Sequence, residues 1–111
     1  MIGKLLQKFK FLGFPPKEKC LVRKVTIDSI YSDMVDAQKW LTPDIASDEQ
    51  ETKKYLTSLS NWNYFLSSYK SNDELWYYRF PENYWKKLRG SHGYIILREG
   101  KYCEYFELVK N

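Results

Sequence analysis

Apolar residues recur along this chain with two periods, one helical and one of strands. Ile2, Leu5, Leu6, Phe9 and Leu12 stand three and four apart with Lys4, Gln7, Lys8 and Lys10 between them, the stripe of an amphipathic helix over residues 1–14. Gly13 and Pro15-Pro16 end it. Residues 20–27, CLVRKVTI, are short and β-branched, which predicts a strand with Leu21, Arg23, Val25 and Ile27 on one face. Asp28-Ser29 breaks that strand, and Ser32 is placed to cap a short helix over 33–41 that aligns Met34, Ala37 and Leu41 before Thr42-Pro43 stops it. Ser47 and Gln50 form a Ser-x-x-Gln capping box, with Asp48 and Glu49 in the electropositive first turn, so a long helix is expected over 48–69. Tyr55, Leu59, Trp62, Leu66 and Tyr69 make its seam, and Ser60-Asn61 is its weak point because both residues prefer caps to helix interiors.

From residue 73 the period changes to two. Residues 74–80 read as a strand with Trp76, Tyr78 and Phe80 on one face and Leu75, Tyr77 and Arg79 on the other. Pro81 ends it and opens a short helix, PENYWKKL, with Gly90 as the expected C-cap. Two further strands, 94–98 and 101–109, follow across a tight Glu99-Gly100 hairpin. The expected fold class is α+β: a small antiparallel sheet of three to four strands packed against the long helix and the N-terminal amphipathic helix. At 111 residues the chain is expected to form one domain, large enough to bury a core without staples.

Composition narrows the classes further. The chain is 43% hydrophobic and 29% charged, too apolar for disorder and too interrupted by charge for a transmembrane span. Lys4, Lys8 and Lys10 also break the apolar run that a secretory signal needs, so a cytoplasmic protein with reduced thiols is expected. The net charge of +4 is unevenly spread: residues 1–24 carry +6, residues 25–60 carry −4 and residues 61–111 carry +2. A basic amphipathic helix at 1–14 suits an anionic membrane surface, but packing on the protein's own sheet ranks ahead of that. Cys20 and Cys103 are too few for a disulfide framework, although one bridge stays open, and with the lone His92 they make no metal-ligand set. No metal and no cofactor is expected.

Asp73-Glu74-Leu75-Trp76, Pro81, Trp85, Leu88, Gly90 and Gly93, then Tyr94 to Leu97 and Arg98-Glu99-Gly100, form an ordered set over the last forty or so residues. That set resembles the C-terminal motif of a family of small bacterial proteins to which no activity is attached: Glu-Leu-Trp, a Pro followed by Trp, Gly-Arg-x-Gly, a strand and a glycine hairpin. The chain departs from it at Gly90-Ser91-His92-Gly93, where Ser91 stands in place of the Arg. The resemblance implies no activity and does not reach residues 1–72.

Catalytic signals are absent from the pattern: there is no phosphate-binding glycine loop, no Gly-x-Ser-x-Gly and no His-Glu-x-x-His. His92, between two glycines, suits a general acid or base, and Cys103 is a conceivable thiol partner for it, but both read first as packing or loop residues. What stands out is a mixture of aromatic and basic residues, from Tyr77 to His92. Such a mixture suits a protein-binding patch, with Trp, Tyr and Arg as anchors. The expected function is therefore a small binding or accessory protein, an adaptor or an immunity-type inhibitor, acting on an unidentified protein partner through Tyr78, Trp85, Arg89 and His92. The alternative is nucleic-acid binding through Arg79, Lys86, Lys87 and Arg89, and the third reading is a small enzyme using His92.

Overall fold

The computed structural model describes residues 10–41 and 49–110. The architecture is α+β, with five helices and a four-stranded antiparallel sheet among the described residues. In chain order the elements are α1 (Lys17–Cys20), β1 (Leu21–Lys24), α2 (Ile27–Leu41), α3 (Glu49–Thr57), α4 (Ser60–Ser68), β2 (Glu74–Arg79), α5 (Glu82–Lys86), β3 (Ser91–Arg98) and β4 (Lys101–Lys110). They group into two compact units, Val25–Tyr69 and the described parts of Met1–Lys24 with Lys70–Asn111.

The Val25–Tyr69 unit is helical. Its first helix begins earlier than the Ser32 cap predicts, because Thr26 and Ser29 cap each other. The Thr26 N–H donates to Ser29 Oγ at 2.9 Å and the Ser29 N–H to Thr26 Oγ1 at 3.1 Å. This satisfies N-terminal donors that a helix leaves unpaired. Asp28-Ser29 thus opens α2 instead of separating it from a strand, and Ile30, Tyr31, Met34 and Val35 form its buried face.

The expected long helix is two helices. Leu59 is extended (φ −94°, ψ 124°), the Ser58 hydroxyl donates to the Tyr55 carbonyl, and the Asn63 amide donates to the Thr57 carbonyl at 2.8 Å. Side chains that compete with the helical ladder break it at this point. The break resets the phase of the seam: Thr52 and Leu56 are the buried residues of α3, Trp62 and Phe65 those of α4, and Tyr55 is left exposed. Trp62 stacks on Phe65 at 5.6 Å and meets Tyr31 of α2 edge-on at 6.0 Å. Ser47 and the Thr42-Pro43 stop lie outside the described residues.

In the other unit the strands run as a meander, β1-β2-β3-β4. The β3–β4 turn is a tight hairpin at Glu99-Gly100, with φ of 54° and 76°, the two left-handed residues of a type I′ turn. β1 is shorter than the expected strand over 20–27: Cys20 ends α1, a bulge separates Leu21 from Arg23, the strand stops at Lys24, and Ile27 belongs to α2. At the other end of the sheet, Arg98 grips Asp73 with two hydrogen bonds, Nε at 2.9 Å and Nη2 at 2.7 Å. This pairing, helped by the Lys70 N–H, holds the Asp73 carboxyl below its ordinary value and ties the start of β2 to the end of β3.

Trp76, Tyr78 and Phe80 share a face, as their alternation predicts. With Ile95 and Cys20 the last two form a buried cluster against which Phe11, Phe14, Tyr102, Tyr105, Tyr84 and Trp85 pack. Residues 2–9 of the expected N-terminal stripe lie outside the described residues, and Leu12, its last member, is 79% exposed. Phe11 and Phe14 make the sheet contact instead. Cys20 and Cys103 are both buried and unpaired.

Gly93 marks the closest approach in the sheet. A Cβ there would lie 2.0 Å from the Phe106 carbonyl oxygen, next to the bulge that separates His92 from Gly93 in the β3–β4 register. The neighbour is strand backbone and cannot swing away. Gly93→Ala is therefore expected to cost more than about 3 kcal/mol in denaturant unfolding. A loss below about 1 kcal/mol would show that β4 does not approach β3 as described.

Candidate functional site

The aromatic and basic residues gather at the end of β2, on α5 and on the turn into β3. Pro81 stands as the N-cap of α5, and the helix closes through a residue other than the expected Gly90. Leu88 takes the left-handed conformation (φ 58°), and the Leu88 and Arg89 N–H groups donate to the Trp85 and Tyr84 carbonyls at 3.2 and 2.8 Å. A leucine there bears a backbone cost that glycine would avoid.

Of two neighbouring tyrosines, the one expected as a contact residue is in the core. Tyr78, an expected contact residue, is 0% exposed, so it belongs to the core and cannot meet a partner in the folded protein. Its hydroxyl lies 2.8 Å from Ser91 Oγ, and Ser91 donates its one hydroxyl proton to Glu107, which makes Tyr78 the donor to Ser91. Burial raises the Tyr78 phenol well above its ordinary value, which keeps this buried chain protonated.

Tyr77, one residue earlier, is half-buried on the opposite face. Its hydroxyl lies 3.1 Å from His92 Nδ1, and its ring carries the Arg23 guanidinium at 4.7 Å. Arg79 and His92 are register partners across β2 and β3. The Trp85 indole N–H donates to the Phe80 carbonyl at 2.9 Å, which fixes a ring that lies 5.9 Å from His92 and 4.7 Å beneath the Arg79 guanidinium. The result is a strip in the order Arg23, Tyr77, His92, Trp85, Arg79, three rings in a row with a guanidinium over the ring at each end. Cation–π contacts of this kind contribute about 0.5–1 kcal/mol each at exposed sites.

Of the four expected partner-binding residues, Trp85 and His92 come together in this strip. Arg89 stands on the turn after α5, beside Tyr84. Arg79, Lys86, Lys87 and Arg89, the expected phosphate-binding set, are all exposed. The sequence places Tyr77 and Tyr84 in the aromatic and basic mixture but not among the expected contact residues, and Arg23 lies outside that mixture. The alternation along β2 already separated Tyr77 and Arg79 from Tyr78, and that was the available signal.

No thiol–imidazole pair forms. Cys103 sits six residues before Val109, the register partner of His92, which is about 20 Å along a strand. Burial raises the thiols of both Cys20 and Cys103, so neither is a ready nucleophile. Among the described residues no three His, Cys, Asp or Glu side chains group as a metal site, and no helix is long and apolar enough to cross a membrane. No protein-family model, curated protein or solved structure matches the chain.

His92 gives the site a pH signature. Burial, then the neighbouring Arg79 charge, holds its imidazole below the ordinary value against the opposing pull of Glu107. The unfolded chain binds a proton at His92 near pH 6.5 while the folded protein does not, so stability is greatest above that pH and falls as pH drops towards the folded value. The denaturation midpoint of the wild type is expected to fall between about pH 7 and 5.5, and that of His92→Gln to fall much less. Equal slopes in the two proteins would exclude His92 as the source.

Proposed function

We propose that this protein is a small binding protein, an adaptor or inhibitor of the immunity type, that recognises a protein partner through the end of the sheet formed by Arg79, Trp85 and the turn 87–90. One observation carries the reading: the Arg79 guanidinium lies 4.7 Å over the ring of half-buried Trp85, and the residues that follow Trp85, namely Lys86, Lys87, a 75% exposed Leu88 and Arg89, are all exposed. Trp and Arg are the residues that most often dominate binding energy, and a stacked Arg keeps its donors directed outward for a carboxylate. The two unpaired, buried cysteines suit work in a reducing compartment such as the cytoplasm.

The four exposed cations favour nucleic acid as a second reading. Leu88 decides the order, because an isobutyl group displayed among cations gains nothing from phosphate and gains burial against an apolar protein surface.

Capture by the tagged protein from the lysate of its own source, with and without nuclease, separates the two. A nuclease-resistant protein partner is expected, and Arg79→Glu/Lys86→Glu, changed only at exposed positions, should bind it at least about tenfold more weakly. Full retention of the partner by that variant would remove this surface, and nuclease-sensitive capture would replace the reading with the second one.

A further inference from the structure

We propose that the face around Tyr84 and Arg89 recognises a short segment of the partner in which a carboxylate side chain sits next to a large apolar one, an inference that rests on the protein-binding reading above. Two concavities meet there. A groove of about 350 Å³ is walled by Phe14, Phe80, Tyr84 and Tyr105, with the exposed Leu12 and Leu88 among its lining. A second, of about 190 Å³, is lined by Asn83, Tyr84, Lys87 and Arg89. Tyr84 and Arg89 line both, so the two are neighbours on this face.

The two differ in chemistry. The larger has an aromatic wall and a volume at the small end of the range that ligand sites occupy. Its Glu107 already accepts the Ser91 hydroxyl, and Lys110 lines the same groove. The smaller has two cations, an amide and no acid. A carboxylate fits beside Lys87 and Arg89, where the guanidinium can hold it through two parallel hydrogen bonds. An aromatic or large aliphatic side chain fits the larger groove next to it.

Leu88 adds an independent reason. It holds a positive φ that a leucine adopts only at a cost, and it spends that cost displaying a side chain that is 75% exposed. Backbone strain kept at a surface position is a signature of a working site. In the occupied groove the same side chain covers the apolar group of the ligand.

The test is a titration of the ¹⁵N-labelled full chain with acetyl-Glu-Phe-Glu-amide, followed by amide chemical shifts. Saturable shifts at Tyr84, Leu88, Arg89 and Ser91 are expected. Acetyl-Gln-Phe-Gln-amide and acetyl-Glu-Ala-Glu-amide should each bind at least tenfold more weakly, as should Arg89→Gln with the first peptide. Leu88→Gly is the decisive variant: it should unfold at the same or higher denaturant concentration yet lose about tenfold in affinity, whereas a merely structural leucine would lose stability. No shifts at these amides, equal binding of the Gln peptide, undiminished binding by Leu88→Gly, or shifts produced there by an oligothymidylate and not by the peptide would each overturn the proposal. Failure here beside an Arg79-dependent partner in the capture experiment removes the groove and leaves the binding reading standing. Peptide binding beside Arg79-independent capture removes the Arg79 surface and leaves the groove.

Discussion

The ring of Phe14 lies 4.9–5.6 Å from the rings of Phe11, Tyr78, Phe80, Tyr102 and Tyr105. Those five come from the segment before α1, from the end of β2 and from β4, so one side chain joins pieces of chain that are far apart in sequence. The contacts are tilted or edge-on, the arrangements that aromatic quadrupoles favour. The Tyr102 hydroxyl donates to the Pro15 carbonyl at 2.6 Å, which pins the backbone next to Phe14 on the same face. The face of the sheet that carries Tyr78 and Ile95 thus acquires its cover from a segment with no strand of its own.

The candidate surface depends on that arrangement. Phe80 sits against Phe14 on one side and against Tyr84 at 5.4 Å on the other, and its carbonyl receives the Trp85 indole proton. A five-residue helix has too little propensity to hold its own position, so α5 takes its place from these two contacts. Trp85 is thereby presented to Arg79 and His92, and Tyr84 to Arg89. Phe14, Phe80 and Tyr105 wall the larger groove from below, so the cover of the core is also the floor of the proposed recognition face. A surface built on locked aromatic side chains loses little freedom on binding, which favours affinity over adaptability.

Much of the meander was legible because period-two alternation and turn chemistry act locally. Residues 74–80 showed both faces of β2, and Glu99-Gly100 showed the hairpin. The rest was decided by competition between local rules and packing. Thr26 and Ser29 form a reciprocal cap that the β-branched run ahead of them masks, and the seam expected as one helix breaks at Ser58-Leu59, next to the weak point that Ser60-Asn61 marks in the sequence. Tyr77 and Tyr78 are the same residue type one position apart, so choosing the half-buried member over the fully buried one requires knowing how tightly each face is covered. Leu88 is illegible for the opposite reason. Propensity assigns the left-handed position to Gly90, and the chain places it at Leu88.

Phe14 holds the aromatic face together. Denaturant unfolding of Phe14→Ala against the wild type measures this directly, because the substitution removes the shared ring and leaves every strand hydrogen bond intact. The expected loss is about 2 kcal/mol or more, since the ring is partly buried, with the denaturant slope unchanged. A loss below about 1 kcal/mol would mean that the sheet and α5 stand without Phe14, and the dependence of the candidate surface on this cluster would be contradicted.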